Sequence, residues 1–107
     1  MKNKTIELST QAIQTYNSLI DVQWCTSQIT YELIKAATRV YSLKRSELLL
    51  ALNELESLGL LLVGMEDSDN GLIRTYTPII PKFGAYGFPY DDFTYEEWQA
   101  FKLAIVP

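Results

Sequence analysis

The chain has 107 residues, of which 48% are hydrophobic and 21% charged, and a formal net charge of −4. It is too apolar for an intrinsically disordered protein, and it has no run near the ~20 apolar residues of a membrane span. Histidine is absent and Cys25 is the single cysteine, which excludes an internal disulfide, a histidine-based catalytic triad and an imidazole–thiolate metal site. We expect Cys25 to be a small buried hydrophobe.

The N-terminal sequence MKNKTIELST lacks the apolar stretch of a secretory signal, so we expect a cytoplasmic protein without membrane association. Charge is divided unevenly along the chain. Residues 1–45 carry six Lys and Arg against three acids, a net of +3, whereas residues 46–107 carry three against ten, a net of −7. The acidic total counts against nucleic-acid binding, which usually needs a basic surface, but the first half can be locally positive.

Two helices are predicted before residue 41. The first is capped by Ser9 or Thr10, and the sequence VQWC after it is predicted to be a short strand-like link. The second is capped by Thr26 or Ser27. Helical spacing assigns Ala12, Ile13, Tyr16, Leu19 and Ile20 to the apolar face of the first helix, and Ile29, Leu33, Ala36, Ala37 and Val40 to that of the second, opposite a polar stripe of Gln28, Glu32, Lys35 and Arg39.

The third predicted helix begins at Ser42 or Ser46 and ends at Leu58, because Gly59 suits the left-handed residue that closes a helix. A helical wheel assigns Leu48, Leu52 and Leu55 to its core side, Ser46, Leu50, Asn53, Glu54 and Ser57 to its outward side, and Leu49 to the flank. A hairpin follows, in which LLLVGMED and LIRTYTPII flank SDNG. Its Asn70-Gly71 pair favours a type I′ turn.

The C-terminal part is rich in aromatic residues. The sequence PKFGAYGFPYDDF is predicted to pack as an ordered loop. Thr94 and Glu97 form a capping box for a last helix, TYEEWQAFKLAI, with Tyr95, Trp98, Phe101 and Ile105 near one face. The carboxylates near the positive end of this helix are Asp91, Asp92, Glu96 and Glu97.

This order of elements resembles a winged helix-turn-helix domain, the superfamily that includes bacterial transcription regulators of the MarR and PadR kinds. LNELESLGLL is similar to the end of the third helix and its entry into the wing, and RTYTPI is similar to the return strand. We therefore predict a mainly α-helical fold with a small β-hairpin (α+β), as one domain over residues 1–107. Residues 9–80 are the winged-helix core, and residues 81–107 are a C-terminal aromatic extension and helix.

In DNA-binding members of the superfamily the third helix enters the major groove and the hairpin contacts backbone or minor groove. The first hypothesis is therefore a small winged-helix transcriptional regulator that binds double-stranded DNA as a homodimer. The phosphate contacts would be Lys35, Arg39, Lys44, Arg45 and Arg74, and the residues nearest the bases would be Ser42, Ser46 and Asn53. The cations before residue 46 can instead form a solvated patch that balances nearby acids.

Several residues favour a second hypothesis, a winged-helix protein–protein interaction module without DNA binding. The acids Glu47 and Glu54 on the third helix, and Glu66, Asp67 and Asp69 at the wing tip, have the wrong sign for phosphate. An outward Leu50 with Leu49 beside it is typical of a protein contact. Trp98, Phe101 and Ile105 are candidates for a symmetric dimer seam. Because helix capping explains the C-terminal carboxylates, we expect no enzyme activity, no cofactor and no metal site.

Overall fold

A computed structural model describes residues 8–26, 28–80 and 93–103 of the chain. It is a mixed α+β fold, in agreement with the predicted fold class. In chain order the elements are α1 (Thr10–Cys25), α2 (Tyr31–Ala37), a 3-10 helix (Arg39–Tyr41), α3 (Arg45–Ser57), β1 (Leu61–Ser68), β2 (Gly71–Pro78) and α4 (Tyr95–Gln99). Within these described ranges no helix is both long and apolar enough to cross a bilayer.

Helix α1 begins as predicted but runs further than predicted. Ser9 is its N-cap, and the Ser9 hydroxyl accepts the Ala12 N–H at 3.1 Å. The predicted apolar face is buried along its whole length. The strand-like link predicted for VQWC is wrong, because the helical period continues through it and buries Gln23, leaving Cys25 exposed at the last turn. The prediction of a buried Cys25 is therefore wrong as well.

Helix α2 starts later than predicted, after Thr30 rather than Thr26 or Ser27, and the Thr30 hydroxyl caps it. The reason is a pairing that is distant in sequence: the Tyr76 N–H of β2 donates to the Ile29 carbonyl at 2.9 Å. This bond ties the chain at Ile29 to the hairpin just before α2 begins.

The apolar face predicted for α2 is consequently wrong in part. Ile34 is the buried residue of α2, and Ile29 is buried in the extended segment before it. Leu33 is 41% exposed and Val40 78% exposed. Ala36 is exposed too, while Ala37 is half-buried. Of the predicted polar stripe, Glu32, Lys35 and Arg39 are exposed and Gln28 is half-buried.

Helix α3 is closed at both ends by local hydrogen bonds. Its N-cap is Lys44 rather than Ser42 or Ser46, and the Glu47 carboxylate accepts the Lys44 N–H at 2.8 Å. At the C-terminus Gly59 adopts a φ of 75°, as predicted. The Leu60 N–H reaches back to the Leu55 carbonyl at 2.9 Å, which satisfies an orphan carbonyl of the last turn.

The hairpin pairs β1 with β2 antiparallel, with Leu61 opposite Pro78 and Ser68 opposite Gly71. The predicted type I′ turn, with Asn70 and Gly71 as its central residues, is wrong, because that turn needs positive φ at both and Asn70 does not have it. Gly71 has the positive φ instead, at 100°. The turn is therefore of the type in which a left-handed glycine follows the two central residues.

The core forms around α1. Tyr16, Leu19 and Ile20 are fully buried, and α2, α3, the hairpin and α4 all pack against this helix. The other large contributors to the core are Ile29, Ile34, Leu48, Leu52, Leu55, Leu60, Leu61, Tyr76, Ile80 and Trp98. The hydrophobic face predicted for α3 is thus confirmed.

Helix α4 has the predicted capping box, in which Thr94 and Glu97 exchange two hydrogen bonds, but it ends at Gln99. The Trp98 ring is fully buried, and its Nε1–H donates to the Ile20 carbonyl of α1 at 2.7 Å. Trp98 therefore cannot form the predicted dimer seam. Phe101 is half-buried with its ring centroid 5.3 Å from that of Trp98.

The remaining C-terminal predictions lie outside the described residues. These are the aromatic loop over residues 81–92, the carboxylates Asp91 and Asp92, and Ile105 of the predicted seam.

Tyr16 makes the free energy of unfolding vary with pH in the alkaline range. Burial raises the pKa of Tyr16 to about 12, and its hydroxyl donates to the Ile79 carbonyl at 2.8 Å. Since the pKa of tyrosine in an unfolded chain is about 10, this stabilisation is complete below pH ~10 and is lost as the pH rises towards ~12. Tyr16→Phe should flatten the fall of the unfolding free energy over this range, at a cost of about 1 kcal/mol at neutral pH. Urea midpoints that decline in parallel for both proteins would contradict this.

Trp98→Phe should lower the free energy of unfolding by about 1–3 kcal/mol, because it leaves the Ile20 carbonyl without its donor and opens space in the core. Tyr95→Phe is the matched control in the same helix, since Tyr95 is 53% exposed. We expect the control to stay within about 0.5 kcal/mol of the wild type. Equal thermal midpoints for the two variants would show that Trp98 does not hold α4 on α1.

Candidate nucleic-acid interface

Four cationic side chains are exposed between α2 and the start of α3. Lys35 lies on α2, Arg39 opens the 3-10 helix, Lys44 is the N-cap of α3 and Arg45 is its first residue. All four are exposed. The Arg45 guanidinium lies 5.5 Å from the centre of the Tyr31 ring, a cation–π contact that joins the start of α3 to the start of α2.

These four cations have no carboxylate within 4.0 Å in the described part of the chain, where the ion pair found is Lys102 with Asp21 at 2.9 Å. The predicted alternative, a patch that balances nearby acids, therefore has no ion pair among these residues to support it. Their charges remain available to an external anion.

Two of the predicted base-proximal residues lie between the 3-10 helix and the first turn of α3. Ser42 is exposed in the left-handed conformation with a φ of 54°, which reverses the chain direction before α3. Ser46 lies exposed in the first turn of α3. Both serines therefore lie on the same short segment as Lys44 and Arg45.

The outward face of α3 carries no charge along its middle. Ser46, Leu50, Asn53 and Ser57 follow one another at helical spacing, and all four are exposed. Leu50 is 68% exposed, and Leu49 at the flank is 41% exposed. Glu54, predicted on the same face, is instead half-buried towards α1. The face thus presents hydroxyl, methyl and amide groups.

Two of the three acids of α3 accept hydrogen bonds from donors of this chain. The Glu54 carboxylate accepts the Ser9 N–H at 2.9 Å and the Ser9 hydroxyl at 2.8 Å. The Glu47 carboxylate accepts the Lys44 N–H. Both acids line a cleft of about 440 Å³ between the start of α1 and α3, together with Gln11, Leu50 and Asn53.

The tie between Ser9 and Glu54 is a part of the site that sequence reasoning missed. Its partners are 45 residues apart, and nothing in the local pattern of either segment pairs them. The hydrogen-bonding capacity of Ser9 as an N-cap was the available signal, but it could not identify the second partner.

The wing is acidic at its tip and carries exposed apolar residues on both strands. The Glu66 carboxylate accepts the Thr75 hydroxyl at 2.8 Å, while Asp67 and Asp69 are exposed. Met65 is 56% exposed and Leu72 66% exposed. The tip has the wrong charge to approach a phosphate backbone.

Arg74 is separated from the four cations by its place on the hairpin. It pairs across the strands with Met65 and lines a shallow groove with Leu49, Glu56 and Val63. The structure thus groups four of the predicted phosphate contacts on the α2–α3 segment and places the fifth in a different groove.

Comparisons of the chain with family models, with curated proteins and with solved structures find no match. Within the described ranges no three His, Cys, Asp or Glu side chains converge in a way that would hold a metal ion.

Ser9→Ala should lower the free energy of unfolding by about 1–2 kcal/mol, because it removes both the cap of α1 and the hydroxyl bonded to Glu54. Thr10→Ala is the matched control, since Thr10 is exposed one residue further along. Denaturant unfolding measures both variants. If Ser9→Ala and Thr10→Ala unfolded at the same midpoint, the hydrogen bonds between Ser9 and Glu54 would not contribute to the stability of the fold.

Proposed function

We propose that the protein is a small winged-helix transcriptional regulator that binds duplex DNA without enzymatic activity, using the α2–α3 segment. The proposal rests on the order of three helices and a hairpin, which resembles that superfamily, and on α3, whose core side is buried while its outer face stays open. The single observation that carries it is the group of four exposed cations, Lys35, Arg39, Lys44 and Arg45, with no described carboxylate within 4.0 Å.

The proposed binding mode places the start of α3 in the major groove. Lys44 and Arg45 would then lie at the groove edge on phosphates, and Lys35 and Arg39 would contact the same backbone from α2 and the turn. Ser42, Ser46 and Asn53 remain the residues nearest the bases. Glu54, on the same helix, is held at the start of α1 by the Ser9 N–H and hydroxyl.

The wing has a different role in this proposal than in regulators whose wings grip DNA. Asp67 and Asp69 would be repelled by phosphate, so the contacts come from the helices alone, without the wing tip and without Arg74. The DNA-binding unit proposed is the single chain, because Trp98 at the centre of the expected dimer seam is buried against α1. A footprint of about four phosphates implies modest affinity, in the micromolar range at physiological salt.

The second candidate function, protein docking without DNA binding, is favoured by one specific observation. Several of the exposed apolar residues lie on α3 and on the adjoining hairpin, among them Leu49, Leu50, Met65 and Leu72. Grouped apolar side chains of this kind are typical of protein contacts. If the protein docks a protein partner and not DNA, Leu50→Asp should abolish association with that partner while leaving the fold intact.

Binding to random-sequence duplex DNA should weaken steeply with salt. Four phosphate contacts predict a slope of about −3.6 in log affinity against log salt concentration, or roughly a 100-fold loss between ~50 and ~200 mM. Lys44→Glu should reduce both the affinity and the slope. Lys102→Glu makes the same change of charge on the C-terminal segment and should leave the slope unchanged.

Fluorescence anisotropy with a labelled duplex measures both quantities for the wild type and the two variants. No binding by the wild type at ~50 mM salt would sink the DNA proposal and leave protein docking as the remaining candidate. Equal losses for Lys44→Glu and Lys102→Glu would mean that net charge, and not the α2–α3 segment, drives binding.

A further inference from the structure

We infer that α3 distinguishes A·T from G·C base pairs, with Asn53 on adenine and Leu50 on the thymine methyl group; this rests on the proposed DNA-binding function. The inference comes from the side chains on the outward face of α3. Between Ser46 and Ser57 that face presents an aliphatic side chain followed by a carboxamide, both exposed. An asparagine amide matches N6 and N7 of adenine, and an apolar side chain matches the C5 methyl of thymine.

The outward face of α3 lacks the side chains that usually recognise guanine. The bidentate contact to O6 and N7 of guanine needs Arg or Lys, and α3 holds no cation after Arg45. Arg45 itself lies at the helix start over the Tyr31 ring. The outward residues that follow it are a serine, a leucine and an asparagine, none of which forms that fork.

Cytosine readout is also disfavoured. A carboxylate that accepts from N4 of cytosine must be free to extend into the groove. Glu54 is tied through both of its oxygens to Ser9, and Glu47 is engaged by the Lys44 amide. Glu56 lies on the other flank, in the shallow groove between α3 and the hairpin. The unconstrained groups on the outward face are therefore those that fit adenine and thymine.

The spacing of Leu50 and Asn53 suits two neighbouring base pairs. Three residues of helix rise by about 4.5 Å, and successive base pairs are stacked about 3.4 Å apart. Leu50 and Asn53 both line the cleft beside α1, and Asn53 also lines the shallow groove towards the hairpin. Ser46 lies four residues before Leu50, a rise of about 6 Å, and falls nearly two base pairs further away. The readout therefore spans roughly four base pairs and includes an A·T step.

The test uses four duplexes of equal length at one salt concentration. The first has a mixed A·T sequence and the second a mixed G·C sequence. The third replaces every thymidine of the first by deoxyuridine, which removes the C5 methyl. The fourth replaces every adenine by 7-deazaadenine, which removes N7. We expect wild-type affinity for the first duplex to exceed that for the second by roughly 10-fold or more, and to fall several-fold in the third and fourth.

Two variants assign each contact to its residue. Leu50→Ala should lose the effect of deoxyuridine and keep that of 7-deazaadenine, whereas Asn53→Ala should do the reverse. Ser57→Ala, at the far end of the same stripe, is the matched control and should keep both effects. Because all three residues are exposed, equal unfolding midpoints are expected, and these are measured alongside.

The failures of the two proposals are distinguishable. Salt-sensitive binding with equal affinity for the A·T and G·C duplexes, or with a preference for G·C, would overturn base readout by Leu50 and Asn53 and leave DNA binding standing. An A·T preference that survived both alanine variants would also overturn it. No binding to any duplex would overturn DNA binding and base readout together.

Discussion

Three polar contacts made by α1 and its cap hold the rest of the molecule in place. The Tyr16 hydroxyl bonds the chain at Ile79 after the hairpin, the Ile20 carbonyl receives the Trp98 indole, and Ser9 holds α3 through Glu54. The Trp98 bond is buried, the Tyr16 bond is partly buried and the Ser9 bonds are exposed. Burial of α1 thus supplies the driving force, and these polar ends fix where each neighbour sits.

Local chemistry made part of the fold predictable. Ser9 as a cap, Gly59 as a left-handed closure and the box of Thr94 with Glu97 depend on residues within one turn, and all three are confirmed. The start of α2 was missed because it depends on the bond from Tyr76 to Ile29, which is 47 residues distant in sequence. A prediction from periodicity starts the helix at the nearest capping residue on its N-terminal side, and it contains no information about the pairing of Tyr76 with Ile29.

The candidate site, like the fold, could be predicted only in part. The sequence predicted exposed cations at Lys35, Arg39, Lys44 and Arg45, since long charged side chains are rarely buried. It also predicted an outward Leu50. It could not predict that Glu54 is pulled onto the start of α1, because that contact exists only once the helices have packed.

The acidic end of β1 has a consequence for self-association. In the described structure β1 pairs with β2 on one side, which leaves its other edge as a template for strands of further copies. In-register stacking of such edges would set Glu66 on Glu66 and Asp67 on Asp67 at the ~4.8 Å spacing of neighbouring strands. Like charges repel at that spacing, so the carboxylates of the wing tip oppose in-register stacking of the described β1 edge.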